Sequence, residues 1–268
     1  MIRPGATARA LPTLLKVGFA EAVAYRAEFL VWILSTTMPL IMLALWSAVA
    51  RDGPVQRFGQ KEFAAYFLAT FIVRQLTSSW VSWEMNYEIR QGTLALRLLR
   101  PVHPMLAFAA QNLSAQPLRL IVAIPVAAVA LATAGSSQLP RDPALWAMWC
   151  AAMVGAWLIT YLAGFAMGCL AFYLESSIHT MELWLALFFV FSGYMIPIEL
   201  FPPGVRAVAD WLPFRYQIGL PVEIMTSALG RGEALAMLGW QWLWAGAWGV
   251  AAVGLWRGGL KRFAAYGG

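Results

Sequence analysis

Charged side chains are scarce in this chain: Asp, Glu, Lys and Arg make up 12% of its 268 residues, while hydrophobic residues make up 61%. A soluble domain carries about 25% charged residues, so this composition excludes an ordinary soluble fold. A helix needs roughly 20 mainly apolar residues to cross the hydrocarbon core, and the length accommodates about six such helices with short connections. We therefore predict an all-α integral membrane protein, with residues 1–268 forming a single transmembrane domain.

Cysteine and histidine are nearly absent, with two of each. Cys150 and Cys169 lie in one apolar run, where the intervening helical residues separate them by roughly 28 Å. That separation excludes a disulfide between them, and we expect both to be buried structural thiols. With His103 and His179 far apart, these residues do not make a metal site. The sequence predicts no metal and no cofactor in this chain.

Motifs for catalysis are also missing. The three aspartates, Asp52, Asp142 and Asp210, fall in predicted loops, so there is no aspartate-rich site for Mg²⁺ and prenyl diphosphates. Ser192 and His179 are separated by roughly 20 Å of helix, whereas a nucleophile and its base lie about 3 Å apart. The chain lacks G-x-x-x-x-G-K-[ST], the loop whose amides and lysine hold nucleotide phosphates. We expect no intrinsic catalysis.

The net charge is +6. A basic chain can bind nucleic acid, but in so apolar a protein we interpret the charge as positive cytoplasmic ends. Six spans place both termini on one side. Assigning the termini and residues 84–104 to the cytoplasm puts ten Lys and Arg residues inside and seven outside. This modest bias favours cytoplasmic termini.

Six apolar runs follow one another and are predicted to span the membrane: 29–50, 63–83, 105–134, 144–173, 183–198 and 235–256. In the fourth run, Gly155, Gly164 and Gly168 allow close helix approach. Before the first run, residues 11–28 predict an interfacial amphipathic helix, because apolar residues recur at helical spacing. A plain extension of the first span is the alternative.

Residues 199–233 are too polar and proline-rich to span, yet too apolar for an ordinary loop. Pro203 can start a short helix and Pro213 must end it. Val205, Val208, Trp211 and Leu212 give this helix one apolar face. We predict two short re-entrant helices in the outer leaflet.

Arg74 lies near the middle of the second span, above a polar patch that includes Ser78. A charge at that depth is costly unless it faces protein or water, so it is a functional candidate by default. One interpretation is that Arg74 and Ser78 line a path for an anionic or amphiphilic substrate. The other is a structural role, in which Arg74 and Arg119 pair with Glu175 or Glu182 or bond backbone carbonyls.

The most charged stretch of the first half is Glu84–Pro104, EMNYEIRQGTLALRLLRPVHP. It resembles the first cytoplasmic segment of bacterial ABC-2 type permeases, in which an acidic residue and Ile precede a Gly, a Leu and a closing Leu-Leu-Arg-Pro. The matching residues are Glu88, Ile89, Gly92, Leu94, Leu98, Leu99, Arg100 and Pro101. After the fifth run, residues 192–214 resemble a Ser-Gly, Pro, Pro, Asn-Pro progression of that family, with Leu212 in place of its Asn.

The resemblance implies a permease without its own ATPase, embedded in the bacterial inner membrane. Its partners would be ABC ATPase subunits, which bind ATP and Mg²⁺, and a second permease subunit, with lipid around them. The family's commoner direction is export, here of a hydrophobic or amphiphilic substrate.

Coupling to the ATPase would run through residues 84–104. We expect Gly92 to divide the segment, and Leu94, Leu98 and Leu99 to fill a groove on the ATPase. Arg90, Arg97 and Arg100 would meet acidic or carbonyl groups, and Pro101 would set the return to the membrane. The alternatives are a surface helix resting on phospholipid heads, a membrane subunit that transmits force without a substrate path, and a secondary transporter.

Overall fold

Helices dominate residues 4–24, 36–134, 138–174 and 177–266, which the computed structural model describes. They are α1 (Pro4–Ala24), α2 (Met38–Val49), α3 (Gln60–Thr77), α4 (Val81–Arg90), α5 (Leu94–Leu98), α6 (Pro104–Ser114), α7 (Gln116–Ala134), α8 (Pro143–Cys169), α9 (Ile178–Phe191), α10 (Pro203–Trp211), α11 (Gly219–Met225) and α12 (Arg231–Tyr266). Within these ranges the only β pairing is an isolated bridge between Val55 and Phe58. The predicted all-α class is confirmed there.

Two helical stretches, Pro104–Thr133 and Pro143–Phe172, are long and apolar enough to cross a membrane. α2 and α9 are apolar but shorter. Residues 25–35 fall outside the described ranges, so part of the predicted first span and the end of the predicted interfacial helix cannot be compared. The described part of that interfacial segment is helical and packs against α6.

The predicted second span, 63–83, is not one helix. α3 ends at Thr77, Ser78 is extended with φ −66° and ψ 144°, and α4 begins at Val81. Thr and Ser side chains compete with the helical backbone for hydrogen bonds, which favours a helix end at such a run. Two helices that meet at residues 78–80 therefore replace the predicted continuous span.

Other helix bounds also differ from the prediction. The third run is interrupted at Ala115, because Pro117 lacks an amide hydrogen and its ring crowds the carbonyl four residues earlier. The helix of the predicted fifth span is α9, which lies at Ile178–Phe191 instead of 183–198. Gly193, with φ +83°, follows its end. The last helix has 36 residues and extends beyond 235–256 at both ends.

α8 is the central helix, and it packs against α12, α4 and α11. A Cβ at Gly168 would lie 2.8 Å from the Cβ of Met85, so a larger residue would force α4 away from α8. The predicted close approach at this helix is confirmed. The prediction of two buried thiols is half wrong: Cys169 is buried, but Cys150 faces outward from α8 and is exposed.

The segment after α9 contains the two expected short helices, but they differ in environment. α10 leaves Val205, Val208 and Trp211 exposed, as a helix at a lipid surface requires. In α11, by contrast, Leu220, Val222 and Ile224 have no exposed surface, and the helix packs against α8 and α3. α11 is therefore enclosed by protein, whereas α10 has an exposed apolar face.

Candidate functional site

A cavity of about 210 Å³ opens beside the break between α3 and α4. Its walls come from the end of α3, the start of α4, the C-terminal third of α8, and α9. Arg74 and Ser78, the two residues predicted to line a substrate path, both contribute to this cavity. The mouth is apolar: Trp83 and Leu185 line it and are 40% and 38% exposed.

Arg74 is held by aromatic rings. Its guanidinium carbon, Cζ, lies 4.7 Å from the ring centroid of Phe188 and 5.9 Å from that of Tyr194. Such contacts stabilise a cation without neutralising it. Among the described residues no carboxylate lies within ion-pair distance of Arg74, and its buried Nε has no hydrogen-bond partner. Arg74 therefore presents to the cavity a positive charge that no carboxylate of the described residues pairs with.

Of the two expected acidic partners of Arg74, Glu182 does not reach it. Glu182 instead lies 3.5 Å from His179 Nδ1, and both side chains are largely exposed. Glu175 lies outside the described residues.

Arg119 has the structural role that was the alternative for both arginines. It is 7% exposed, and its Nη1 donates to the carbonyl oxygens of Ser78 at 2.7 Å and Gln75 at 3.4 Å. The amide of Gln116 donates to the Leu76 carbonyl at 2.9 Å. The last carbonyls of a helix lack partners within the helix, and a cation is favourable near them. Arg119 thus caps the end of α3.

Gln217 is a cavity residue that the sequence did not reveal. It is 1% exposed, and its Oε1 accepts a hydrogen bond from Thr160 Oγ1 at 3.0 Å. Its Nε2 has no hydrogen-bond partner among the described residues. Buried amide donors are normally satisfied. Gln217 sits in a segment that was expected to lie outside the spans, so local pattern carried no signal for its position.

Arg215 and Glu223 form a second group that the sequence did not reveal. Arg215 Nη2 lies 2.8 Å from Glu223 Oε2, and their side chains are 4% and 2% exposed. Asp210 also pairs with Arg215. This ion pair joins the 3₁₀ turn at Arg215–Gln217 to α11 and belongs to the packing of that segment.

The cytoplasmic-segment candidate, residues 84–104, turns at Gly92. α4 ends at Arg90, Gly92 has φ +72°, and α5 begins at Leu94. Only glycine adopts this left-handed region readily. The expected division of the segment at Gly92 is confirmed.

The two arms of this turn are tied together by Glu88 and Arg97. Arg97 Nε donates to Glu88 Oε2 at 2.9 Å, and Arg97 Nη2 pairs with the other carboxylate oxygen. The Arg97 Cζ also lies 3.9 Å from the ring centroid of Phe108 in α6. Arg97 is thus engaged within the chain, where it had been predicted to meet groups of a partner.

The leucines of the segment divide into two sets. Leu94 has no exposed surface and packs with Phe108, Phe165 and their neighbours. Its predicted place on an outward face is therefore wrong: the turn at Gly92 points it into the protein. Ile89 is also buried, at 8% exposed. The outward set is Leu96, Leu98 and Leu99, at 66%, 37% and 82% exposed; we call these three residues the leucine surface.

The remaining predicted residues of the segment lie near this surface. Arg100 and Pro101 are exposed, and Arg90 is exposed with its Nε 3.4 Å from Asn86 Oδ1. His103 caps α6 by accepting a hydrogen bond from the Met105 amide at 3.2 Å. Partial burial lowers the pKa of His103 below its ordinary value. A cap acceptor must be unprotonated, so the partial burial and the hydrogen bond both favour the neutral imidazole.

Comparison with known proteins gives a family for the chain. No curated protein matches it. A family model described as "ABC-2 family transporter protein" matches residues 33–267, nearly the whole chain, including both the cavity and the leucine surface. The resemblance found in the motifs is thereby confirmed. The chain belongs to the ABC-2 transporter family and is a membrane-embedded permease.

Proposed function

We propose that the chain is the transmembrane subunit of an ATP-driven exporter for a hydrophobic or amphiphilic substrate. A separate ABC ATPase subunit, binding ATP and Mg²⁺, supplies the energy, and a second permease subunit completes the path. The assembly sits in a bacterial inner membrane with both termini of this chain in the cytoplasm.

The leucine surface is the observation that carries this proposal. Leu96, Leu98 and Leu99 are exposed on a turn that also carries charged residues and is held by the Glu88–Arg97 pair. Apolar side chains on a firmly held turn suit a groove on a partner better than they suit water. Arg100, next to them, is placed to meet a carboxylate or carbonyl of that partner, as is Arg90.

The cavity beside Arg74, which pairs with no carboxylate in the described ranges, favours transport over the two alternatives. A subunit that only transmits force needs no cavity. A proton-driven secondary transporter needs titratable carboxylates, and the buried Glu223 is already paired with Arg215.

The test is assembly with the cognate ATPase. We expect Leu98→Asp/Leu99→Asp to abolish co-purification and stimulated ATP hydrolysis, because two charges cannot enter an apolar groove. The matched control is Gln91→Asp/Thr93→Asp, which adds the same charges at exposed positions of the same turn. Retention of a fully active complex by the leucine variant would overturn the coupling assignment.

A further inference from the structure

The cavity contains an unusual set of polar groups for an apolar wall. Arg74 Nε and Gln217 Nε2 are both buried donors without a partner among the described residues. The hydroxyls of Ser78, Ser79 and Thr160 line the same space. An unpaired buried donor costs about 1–3 kcal/mol, so two of them in one cavity point to an acceptor that is supplied from outside the chain.

The charge of the cavity specifies what kind of acceptor fits. Arg74 has no carboxylate partner within the described part of the chain, and the nearby Arg119 donates to backbone carbonyls. A guanidinium binds carboxylate or phosphate oxygens through charge-assisted hydrogen bonds, which are shorter and stronger than neutral ones. A neutral or cationic head group would leave Arg74 without a counter-charge. The site therefore favours an oxyanion.

The rest of the lining specifies what the oxyanion is attached to. Trp80, Trp83, Trp184, Leu185 and Phe189 surround the polar end, and Trp83 and Leu185 extend to the exposed apolar surface. A volume of about 210 Å³ holds a head group but not a long chain. An apolar tail would leave through the mouth between α4 and α9.

We propose that this cavity binds the head group of an anionic amphiphile. Arg74 and the amide of Gln217 hold the carboxylate or phosphate oxygens, and the aromatic rim holds the start of the tail. Thr160 keeps the Gln217 side chain in place, because its hydroxyl proton is shared between the Ala156 carbonyl oxygen at 2.9 Å and Gln217 Oε1 at 3.0 Å, and Nε2 then faces the ligand. The assignment of this ligand as cargo rests on the proposed transport function.

The experiment measures binding to the purified permease in phosphatidylcholine nanodiscs, without the ATPase. Dibrominated stearate quenches tryptophan fluorescence at short range, and three tryptophans line the cavity. The matched probe is dibrominated stearyl alcohol, which has the same tail and no charge. We expect the carboxylate probe to bind about tenfold more tightly, in line with one charge-assisted hydrogen bond. Unbrominated oleate should displace it, whereas acetate and inorganic phosphate should not.

Two variants assign the binding to the named residues. Arg74→Gln should lower carboxylate affinity to that of the alcohol, and Gln217→Glu should weaken it by placing a carboxylate at the head-group position. Arg206→Gln, on α10 away from the cavity, is the control and should leave the preference unchanged. If Arg74→Gln does not fold, Arg74→Lys takes its place. This variant keeps the charge and should retain the carboxylate preference. The comparison of the two probes on the wild-type protein still decides whether the cavity prefers an anionic head group.

Equal affinity for the two probes, or a preserved preference in Arg74→Gln, would overturn the proposal. Displacement by acetate or phosphate as effectively as by oleate would show a small-anion site and would also overturn it. Because the ATPase is absent, a negative result here leaves the coupling test at the leucine surface unaffected. Conversely, loss of ATPase coupling in the leucine variants should leave stearate binding intact.

Discussion

Residues 84–104 and residues 199–229 contain similar structural elements, but the two segments differ in how far their ion pairs and apolar side chains are buried. Each contains short helices, prolines and an ion pair. In the second segment the Arg215–Glu223 pair and the apolar side chains of α11 are enclosed by α3 and α8. In the first, the Glu88–Arg97 pair is partly exposed, at 18% and 16%, and the leucine surface lies outside. Similar residues are therefore enclosed by protein in one segment and leave an exposed apolar surface in the other.

The largest effect should come from breaking the enclosed pair. We expect Arg215→Met to destabilise the protein by about 3–5 kcal/mol, because it leaves the Glu223 charge buried and unpaired. The measurement is the melting temperature in detergent. Arg215→Met/Glu223→Leu should recover much of the loss, since apolar residues can replace a buried ion pair.

The exposed pair of Arg231 and Asp142 supplies the control for this prediction. Arg231→Gln should not measurably change the melting temperature. A similar loss in Arg215→Met and Arg231→Gln would contradict the distinction between enclosed and surface pairs.

Replacing a glycine by alanine should change the stability in opposite directions in the two segments. Gly92→Ala should destabilise by about 1–2 kcal/mol, because φ +72° is a left-handed conformation that disfavours a Cβ. Gly204→Ala lies in the exposed helix α10, where a Cβ meets no atom within 4 Å, and should stabilise slightly. Thermal unfolding of the two variants tests the difference, and a neutral Gly92→Ala would show that the turn relaxes easily.

A smaller effect is expected from the Glu88–Arg97 pair at the turn around Gly92. Arg97→Gln removes a partly exposed ion pair and the contact with Phe108, and should cost about 1 kcal/mol. The loss should be local, so amide hydrogen exchange should quicken in residues 91–103 and stay unchanged in α11. The matched control is Arg90→Gln, because Arg90 is exposed and its Nε makes a long contact of 3.4 Å to Asn86 Oδ1. Equal exchange in both variants would show that Glu88 and Arg97 do not hold the turn.

The smallest effect concerns pH at the start of α6. Burial lowers the pKa of His103, so the unfolded chain takes up a proton before the folded chain does. The contribution of His103 to the free energy of unfolding is therefore fully present above the ordinary histidine pKa of about 6.5. It is lost as pH falls from there through the pKa of the folded state. His103→Asn keeps a cap acceptor that does not titrate. The drop in melting temperature between pH 7.5 and 5.5 should be smaller in this variant, and an identical drop would exclude His103 as its source.

Sequence reasoning worked where a single residue or a composition decides the structure. The helical class follows from the apolar content, and the turn at Gly92 follows from the one glycine in a leucine-rich stretch. The carbonyl contacts of Arg119 were one of two alternatives for a cation in a span. Each of these depends on local chemistry.

Sequence reasoning failed where the outcome depends on distant packing. The local pattern groups Leu94 with Leu98, and only the position of Phe108 and Phe165 decides that Leu94 is buried while Leu98 is exposed. α11 contains a glutamate beside apolar residues, so it is indistinguishable from a surface helix until α3 and α8 enclose it and Arg215 pairs with Glu223. Gln217 faces the cavity for the same reason, since its contact to Thr160 crosses from one segment to another.

The interruption at Ser78–Trp80 has a mechanical consequence. α4 is a rigid rod of ten residues, about 15 Å long at 1.5 Å per residue. One end of this rod carries the turn with the leucine surface, and the other end forms part of the cavity wall. A continuous helix would have tied that rod to the whole length of α3. Because the backbone ladder of α3 stops at residues 78–80, the proposed function would require a force on the leucine surface to reach the cavity wall through α4 alone, without turning the whole of α3.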